Sequence, residues 1–147
     1  MEVCLFIYDV IPSFRFNGLS TVDALLQGGA DPSINGKKES TPSHFAACRG
    51  NEEILKVLLE HPKVKVDAKY SSGKTALHLA CTEGHCRVCK LLLSKGADIK
   101  AVTADNTTPL HNAILNVHSQ LATMIRTKWR LEYRYDCRIE VIKLVRV

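Results

Sequence analysis

The sequence predicts an all-α array of repeated helix pairs, and two landmarks in one register carry that prediction. The first is Thr41-Pro42-Ser43-His44-Phe45-Ala46, Thr75-Ala76-Leu77-His78-Leu79-Ala80 and Thr108-Pro109-Leu110-His111-Asn112-Ala113, whose starts lie 34 and 33 residues apart. The second is the leucine pair Leu25-Leu26, Leu58-Leu59 and Leu92-Leu93, which precedes the next threonine by 15, 16 and 15 residues. The extra residue falls in His61-Pro62-Lys63-Val64-Lys65-Val66. A period in this range marks a stacked repeat architecture, whereas a single T-x-x-H would carry no weight.

Local chemistry accounts for each part of the repeat. Thr caps a helix by accepting a backbone N–H, and Pro suits the first helical position. The apolar residues that follow form the buried stripe of a short helix. Gly50 and Gly84 end that helix and turn the chain. The second helices are read from apolar residues spaced near 3.6: Ile54, Leu55, Val57, Leu58 and Leu59, then Val88, Cys89, Leu91, Leu92 and Leu93. Gly29 and Gly96 stop two of these helices, and Pro62 stops the third. Polar connectors follow at Asp31–Ser40, Asp67–Lys74 and Asp98–Thr107.

These residues resemble the ankyrin-repeat family. The three T-x-x-H-x-A segments, Gly84-His85, and the Gly-Ala-Asp runs at Gly29-Ala30-Asp31 and Gly96-Ala97-Asp98 carry the likeness, over about residues 17–117. The resemblance implies antiparallel helix pairs stacked side by side, with β-turn fingers along one edge. Each pair buries its apolar face only against its neighbours, so about three are needed for stability. The expected division is an atypical segment 1–16, a partial repeat 17–40, full repeats 41–74 and 75–107, and an irregular fourth repeat with a basic tail, 108–147. That makes two full and two partial repeats, a marginal array.

The pattern fails in places. Ser43 stands where the family prefers Leu, and is expected to leave a small void or to bond back to its helix. Val117 stands where the other repeats have Gly50 and Gly84, which puts the turn of the fourth repeat in question. His118–Arg130 then reads as continuing helix, with Leu121, Met124, Ile125 and Trp129 on one stripe. At the first register position, Tyr8–Ile11, the chain reads Tyr-Asp-Val-Ile instead of T-x-x-H. Leu131–Val141 alternates apolar and charged residues as a strand does, yet Ile139–Val145 looks like a displaced second helix, and helix is the favoured reading. Val147 leaves the array without a polar outer cap. One reading is that the chain is a fragment, or has mis-joined ends.

Composition bounds the function. Among 147 residues, 46% are apolar and 24% charged, which argues against disorder and low complexity. No apolar run approaches the roughly 20 residues of a membrane-spanning helix. The start lacks the basic region of a secretory signal. Six cysteines are too dilute for a disulfide scaffold, so reduced thiols in the cytosol or nucleus are expected. The net charge of +5 is uneven: residues 126–147 hold seven bases and three acids. Such a tail is able to attract nucleic acid or anionic lipid, but the interrupting acids favour plain solvation.

Several constellations suggest chemistry, and each has a packing alternative. His78, Cys81, His85, Cys86 and Cys89 lie close in sequence, but Cys86-x-x-Cys89 has no second pair at finger spacing, so packing is favoured over zinc. His44, His78 and His111 recur at one register and are separated by the stack, which argues against a shared acid–base site. In the ankyrin family this histidine braces the finger. His44 and Cys48 lack an orienting third group or oxyanion donor. Asn106-Thr107-Thr108 matches a glycosylation sequon, but Thr108 is the expected helix cap. No catalytic residue, metal ligand or cofactor-binding residue is assigned, and no small-molecule substrate is implied.

The resemblance instead implies a protein partner along the fingers and the exposed ends of the first helices. By register that strip comprises Lys37, Lys38, Ser40, Cys48 and Arg49; Tyr70, Ser71, Ser72, Lys74, Thr82 and Glu83; and Ala104, Asp105, Thr107, Leu115 and Asn116. Tyr70 and Arg49 are the expected anchors, being of the residue types that dominate interface energetics. Lys37, Lys38 and Lys74 are expected to steer acidic groups. The other readings are a cytosolic segment of a larger protein, such as an ankyrin-bearing cation channel, and nucleic-acid or lipid binding through the tail.

Overall fold

The computed structural model describes residues 18–33 and 40–133. The expectations for segment 1–16, Lys37, Lys38 and residues 134–147 lie outside them. Among the described residues the chain forms seven helices and no strand: α1 Leu19–Gln27, α2 Pro42–Arg49, α3 Glu52–Glu60, α4 Ala76–Glu83, α5 Cys86–Ser94, α6 Pro109–Leu115 and α7 Ser119–Tyr133. The pairs α2–α3, α4–α5 and α6–α7 are the helix pairs of the second, third and fourth repeats. α1 is the second helix of the first. The short helices α2, α4 and α6 pack on one another in series, and α1, α3 and α5 do the same behind them.

Each first helix begins with the same reciprocal cap. The backbone N–H groups of Thr41, Thr75 and Thr108 donate to Nδ1 of His44, His78 and His111 at 3.1, 3.1 and 2.9 Å. A donor facing Nδ1 makes that nitrogen the acceptor, so the proton sits on Nε2. Nε2–H of His44 then donates to the Ala68 carbonyl at 2.9 Å, and that of His78 to the Thr107 carbonyl at 3.1 Å. Each of these two rings therefore ties the start of its helix to the connector that ends its own repeat. Burial holds both His44 and His78 below their ordinary pKa, which favours this neutral tautomer.

The first helices close alike as well. The N–H of Asn51, His85 and His118 donates to the carbonyl five residues back, on Ala46, Ala80 and Ala113, each at 2.9 Å. This is the closure of a left-handed cap, and Gly50 and Gly84 occupy it with φ of +73° and +79°. Val117 occupies it too, at +60°. The turn of the fourth repeat thus forms without glycine, contrary to the sequence expectation, at a cost of about 1–2 kcal/mol for an L-residue in that region. Beyond it, α7 runs 15 residues, where α3 and α5 each run nine.

The core is a continuous layer between the helix rows. Ala46, Ala47, Leu55, Leu77, Ala80, Leu92, Ala113 and Ile125 are among its wholly buried members. The small residues of the first helices let neighbouring repeats approach closely. The α7 stripe behaves as the spacing predicts: Leu121, Ile125 and Trp129 are buried, with Met124 packed beside them. Ser43 is buried, and its hydroxyl neither bonds back to the helix nor meets another partner. Cys81 and Cys89 are wholly buried, and their sulfurs lie 3.7 Å apart across the third repeat.

Candidate interaction surface

The connectors form the fingers. In the second repeat the Tyr70 N–H donates to the Lys74 carbonyl at 2.8 Å, and in the third the Thr103 N–H donates to the Thr107 carbonyl at 3.0 Å. The two fingers are joined by a bond from the Ala104 N–H to the Ser72 carbonyl at 3.0 Å and by the Asp98 N–H donating to the Asp67 carboxylate, 3.0 Å from Oδ1. Thr103 and Thr107 also pair their hydroxyls at 2.7 Å. The equivalent of Thr103 in the second finger is Tyr70, which makes a different contact: its ring lies 6.1 Å from that of His44, tilted by 52°. Tyr70 is half-buried there, so it braces its own repeat as well as facing the surface.

The rest of the predicted strip divides by accessibility. Arg49, Ser71, Glu83, Ala104, Asp105, Leu115 and Asn116 are exposed. Cys48, Ser72, Lys74, Thr82 and Thr107 are half-buried, and Ser40 is buried. Burial pushes the Cys48 thiol up, with the Glu83 carboxylate of the next repeat adding to the effect and Arg49 opposing it. The thiol is therefore held protonated. Since both nitrogens of His44 are engaged with Thr41 and Ala68, the His44–Cys48 arrangement has no free base to take its proton.

Two histidines that position this strip were not picked out for that role from the sequence. His85 and His118 stand directly before α5 and α7, 33 residues apart. His85 Nε2–H donates to the Cys48 carbonyl at 3.0 Å, and His118 Nε2–H to the Thr82 carbonyl at 2.9 Å. Each reaches back one repeat and fastens a residue of the strip. A Cβ at Gly50 would lie 2.6 Å from the His85 ring, and one at Gly84 2.7 Å from the His118 ring. Glycine is required there for the ring as much as for the backbone. The 33-residue spacing of His85 and His118 was the signal available in the sequence.

Around the first two repeats the surface is charged. Lys63 Nζ meets the Asp31 carboxylate at 2.9 Å, and hydrogen bonds from Ser33 together with Lys63 hold that carboxyl well below the usual range. A cleft beside this pair is lined by Pro32, Thr41, Val64, Lys65, Ala68 and Lys69. Among the described residues, no three or more His, Cys, Asp or Glu side chains gather as metal ligands, and no helix is long and apolar enough to cross a membrane.

The comparisons with known proteins agree with this architecture. A family model for ankyrin repeats in three copies matches residues 13–103. The chain is 34% identical over 97 residues to human transient receptor potential cation channel subfamily A member 1, covering 66% of this chain and 9% of the channel. It is 39% identical over 117 residues to alpha-latrocrustotoxin-Lt1a of Latrodectus tredecimguttatus, covering 79% of this chain and 8% of the toxin. It is 36% identical over 132 residues to human ankyrin repeat and SOCS box protein 16, covering 84% of this chain and 27% of that protein. The chain thus spans less than a third of the length of each of these relatives. The family match, the recurring Thr–His caps and the stacked helix pairs establish that the chain belongs to the ankyrin-repeat family.

Proposed function

We propose that this chain is a protein-binding module that holds its partner along the fingers and the exposed ends of the first helices. The observation that carries the reading is the mechanical continuity of that strip. Ser72 is bonded to Ala104 across the fingers, while Cys48 and Thr82 are held by histidines of the following repeats. A surface already fixed in shape loses little freedom on binding. Arg49 and Tyr70 are the anchors in this reading, with Lys74 and the lysines at 37 and 38 attracting acidic groups on the partner.

The test is an affinity capture comparing the intact chain with an Arg49→Ala/Tyr70→Ala/Lys74→Ala variant. Tyr70 packs on His44, so the variant must first match the parent in helical circular dichroism and urea midpoint. A protein held by the parent and lost from the variant supports the strip. Equal retention by both would remove the strip from the binding site.

A second reading is favoured by the coverage of the relatives: the chain acts as one segment of a larger protein, such as a cation channel. The sequence also leaves nucleic-acid or lipid binding by the basic tail. That reading predicts steep weakening with salt, abolished by deleting residues 126–147.

A further inference from the structure

We infer that the fourth repeat closes the stack: the Val117 side chain occupies the seat into which a further repeat would place its histidine. The face of α6 and α7 therefore does not accept another repeat in this register, whether from the same polypeptide or from a second copy.

The seat is defined by two occupied examples. In each, a left-handed residue follows the first helix, the next repeat's histidine ring lies against that residue's Cα, and its Nε2–H bonds the carbonyl two residues earlier. Gly50, His85 and the Cys48 carbonyl form one seat, and Gly84, His118 and the Thr82 carbonyl form the other. The added Cβ distances of 2.6 and 2.7 Å are closer than real Cβ atoms come to another heavy atom, so the ring and a side chain exclude each other. In the fourth repeat the matching carbonyl belongs to Leu115, and the left-handed residue is Val117. Its backbone keeps the same turn, with φ +60° and the same His118 N–H to Ala113 bond, so its branched side chain projects from the equivalent point. Val117 is 84% exposed. It carries the strain of a β-branched residue in the left-handed region, and no core contact explains its choice over glycine.

The second helix of this repeat differs in a way that fits closure. α7 continues six residues past the length of α3 and α5, and Trp129 in that extension is buried beneath the Lys100 ammonium, 5.7 Å from its ring. Thr123, Arg126, Thr127 and Arg130 lie exposed, and Lys128 pairs with Glu132 at 3.0 Å. Terminal repeats of a solenoid need a polar outer side of this kind.

The experiment inserts a second copy of residues 85–117 directly after Val117 in the full chain, so that the inserted histidine takes the Gly84 seat and His118, now one repeat further on, must enter the seat of the Val117 that precedes the insert. The junction residue is Val or Gly, and the parent and its Val117→Gly variant are run beside them. Val117→Gly in the parent measures relief of backbone strain alone. The expected result is that the same change at the junction, in the Val117 that precedes the insert, lowers the urea unfolding constant by a factor at least tenfold larger than it does in the parent. An equal effect in both backgrounds would overturn the inference. A second comparison places valine in an occupied seat. Gly84→Val should cost at least tenfold more in the unfolding constant than Gly96→Val, where φ is +86° and nothing lies within 4 Å of an added Cβ. Equal losses would show that the side chain does not bar the ring, and would overturn it independently.

Discussion

His78 is the deepest of the bracing histidines, and its removal should be the most damaging among them. The ring is wholly buried, as is Thr75. It accepts the Thr75 N–H at 3.1 Å and donates to the Thr107 carbonyl at 3.1 Å. His78→Ala strands the Thr75 N–H, while the Thr107 carbonyl loses one bond and keeps the one from the Thr103 N–H. The Thr75 N–H lies in a dry interior, where an unmet donor costs about 1–3 kcal/mol. The Thr107 carbonyl stays bonded, so its share is the net worth of one hydrogen bond, about 1 kcal/mol. With the void left by the ring, the loss comes to about 3–4 kcal/mol. His111→Ala is the internal comparison. It removes the same cap from the fourth repeat, but this ring is partly exposed and water can reach the groups it leaves, so about 1 kcal/mol is expected. Urea denaturation followed by circular dichroism on both variants measures the difference directly. Equal losses would refute the reasoning, because burial is the one factor argued to separate the two sites.

The same burial predicts a pH dependence. His44 and His78 have folded pKa values below their ordinary 6.5, so the fold binds the neutral rings. Their contribution is fully present above about pH 6.5 and is lost as pH falls through the lower folded values. The urea midpoint should therefore drop between pH 7.5 and pH 5, and an unchanged midpoint would contradict the neutral-tautomer assignment. Ser43→Ala should stabilise by about 1 kcal/mol, since it removes a buried hydroxyl with no partner, and a loss on the same urea assay would mean the hydroxyl is satisfied in solution. Trp129→Ala should cost about 3 kcal/mol in thermal or urea unfolding if the extension of α7 covers the core, and a neutral effect would remove it from that role.

The repeat was legible because its signals are local. A threonine cap, a histidine three residues on and a glycine at the helix end act within one turn of chain, so their spacing survives in the sequence as a period. The α7 stripe was legible for the same reason, its buried residues recurring at helical spacing. What escaped were effects that cross repeats. Val117 puts the turn in question on sequence grounds because glycine is the usual residue there, yet packing on Leu121, Ile125 and Trp129 holds the second helix in place and imposes the turn at a modest strain cost. The roles of His85 and His118 depend on carbonyls 37 and 36 residues earlier in the chain. Tyr70 could be assigned to the surface from its place in the finger, but its contact with His44 required the folded geometry.

Those cross-repeat bonds also bear on how the interaction strip is read by mutation. Cys48 and Thr82 lie in the strip, and each is held through its main-chain carbonyl by a histidine of the next repeat. Replacing Cys48 or Thr82 leaves that carbonyl, and hence the bond, in place. Replacing His85 or His118 alters the strip without touching its side chains. A binding defect in either histidine variant is therefore a defect of positioning, and it should track with the stability of the adjoining repeat. A defect in Arg49 or Glu83, which are exposed side chains, should appear with stability unchanged. Measuring affinity and urea midpoint on the same four variants separates the residues that form the surface from those that hold it in shape.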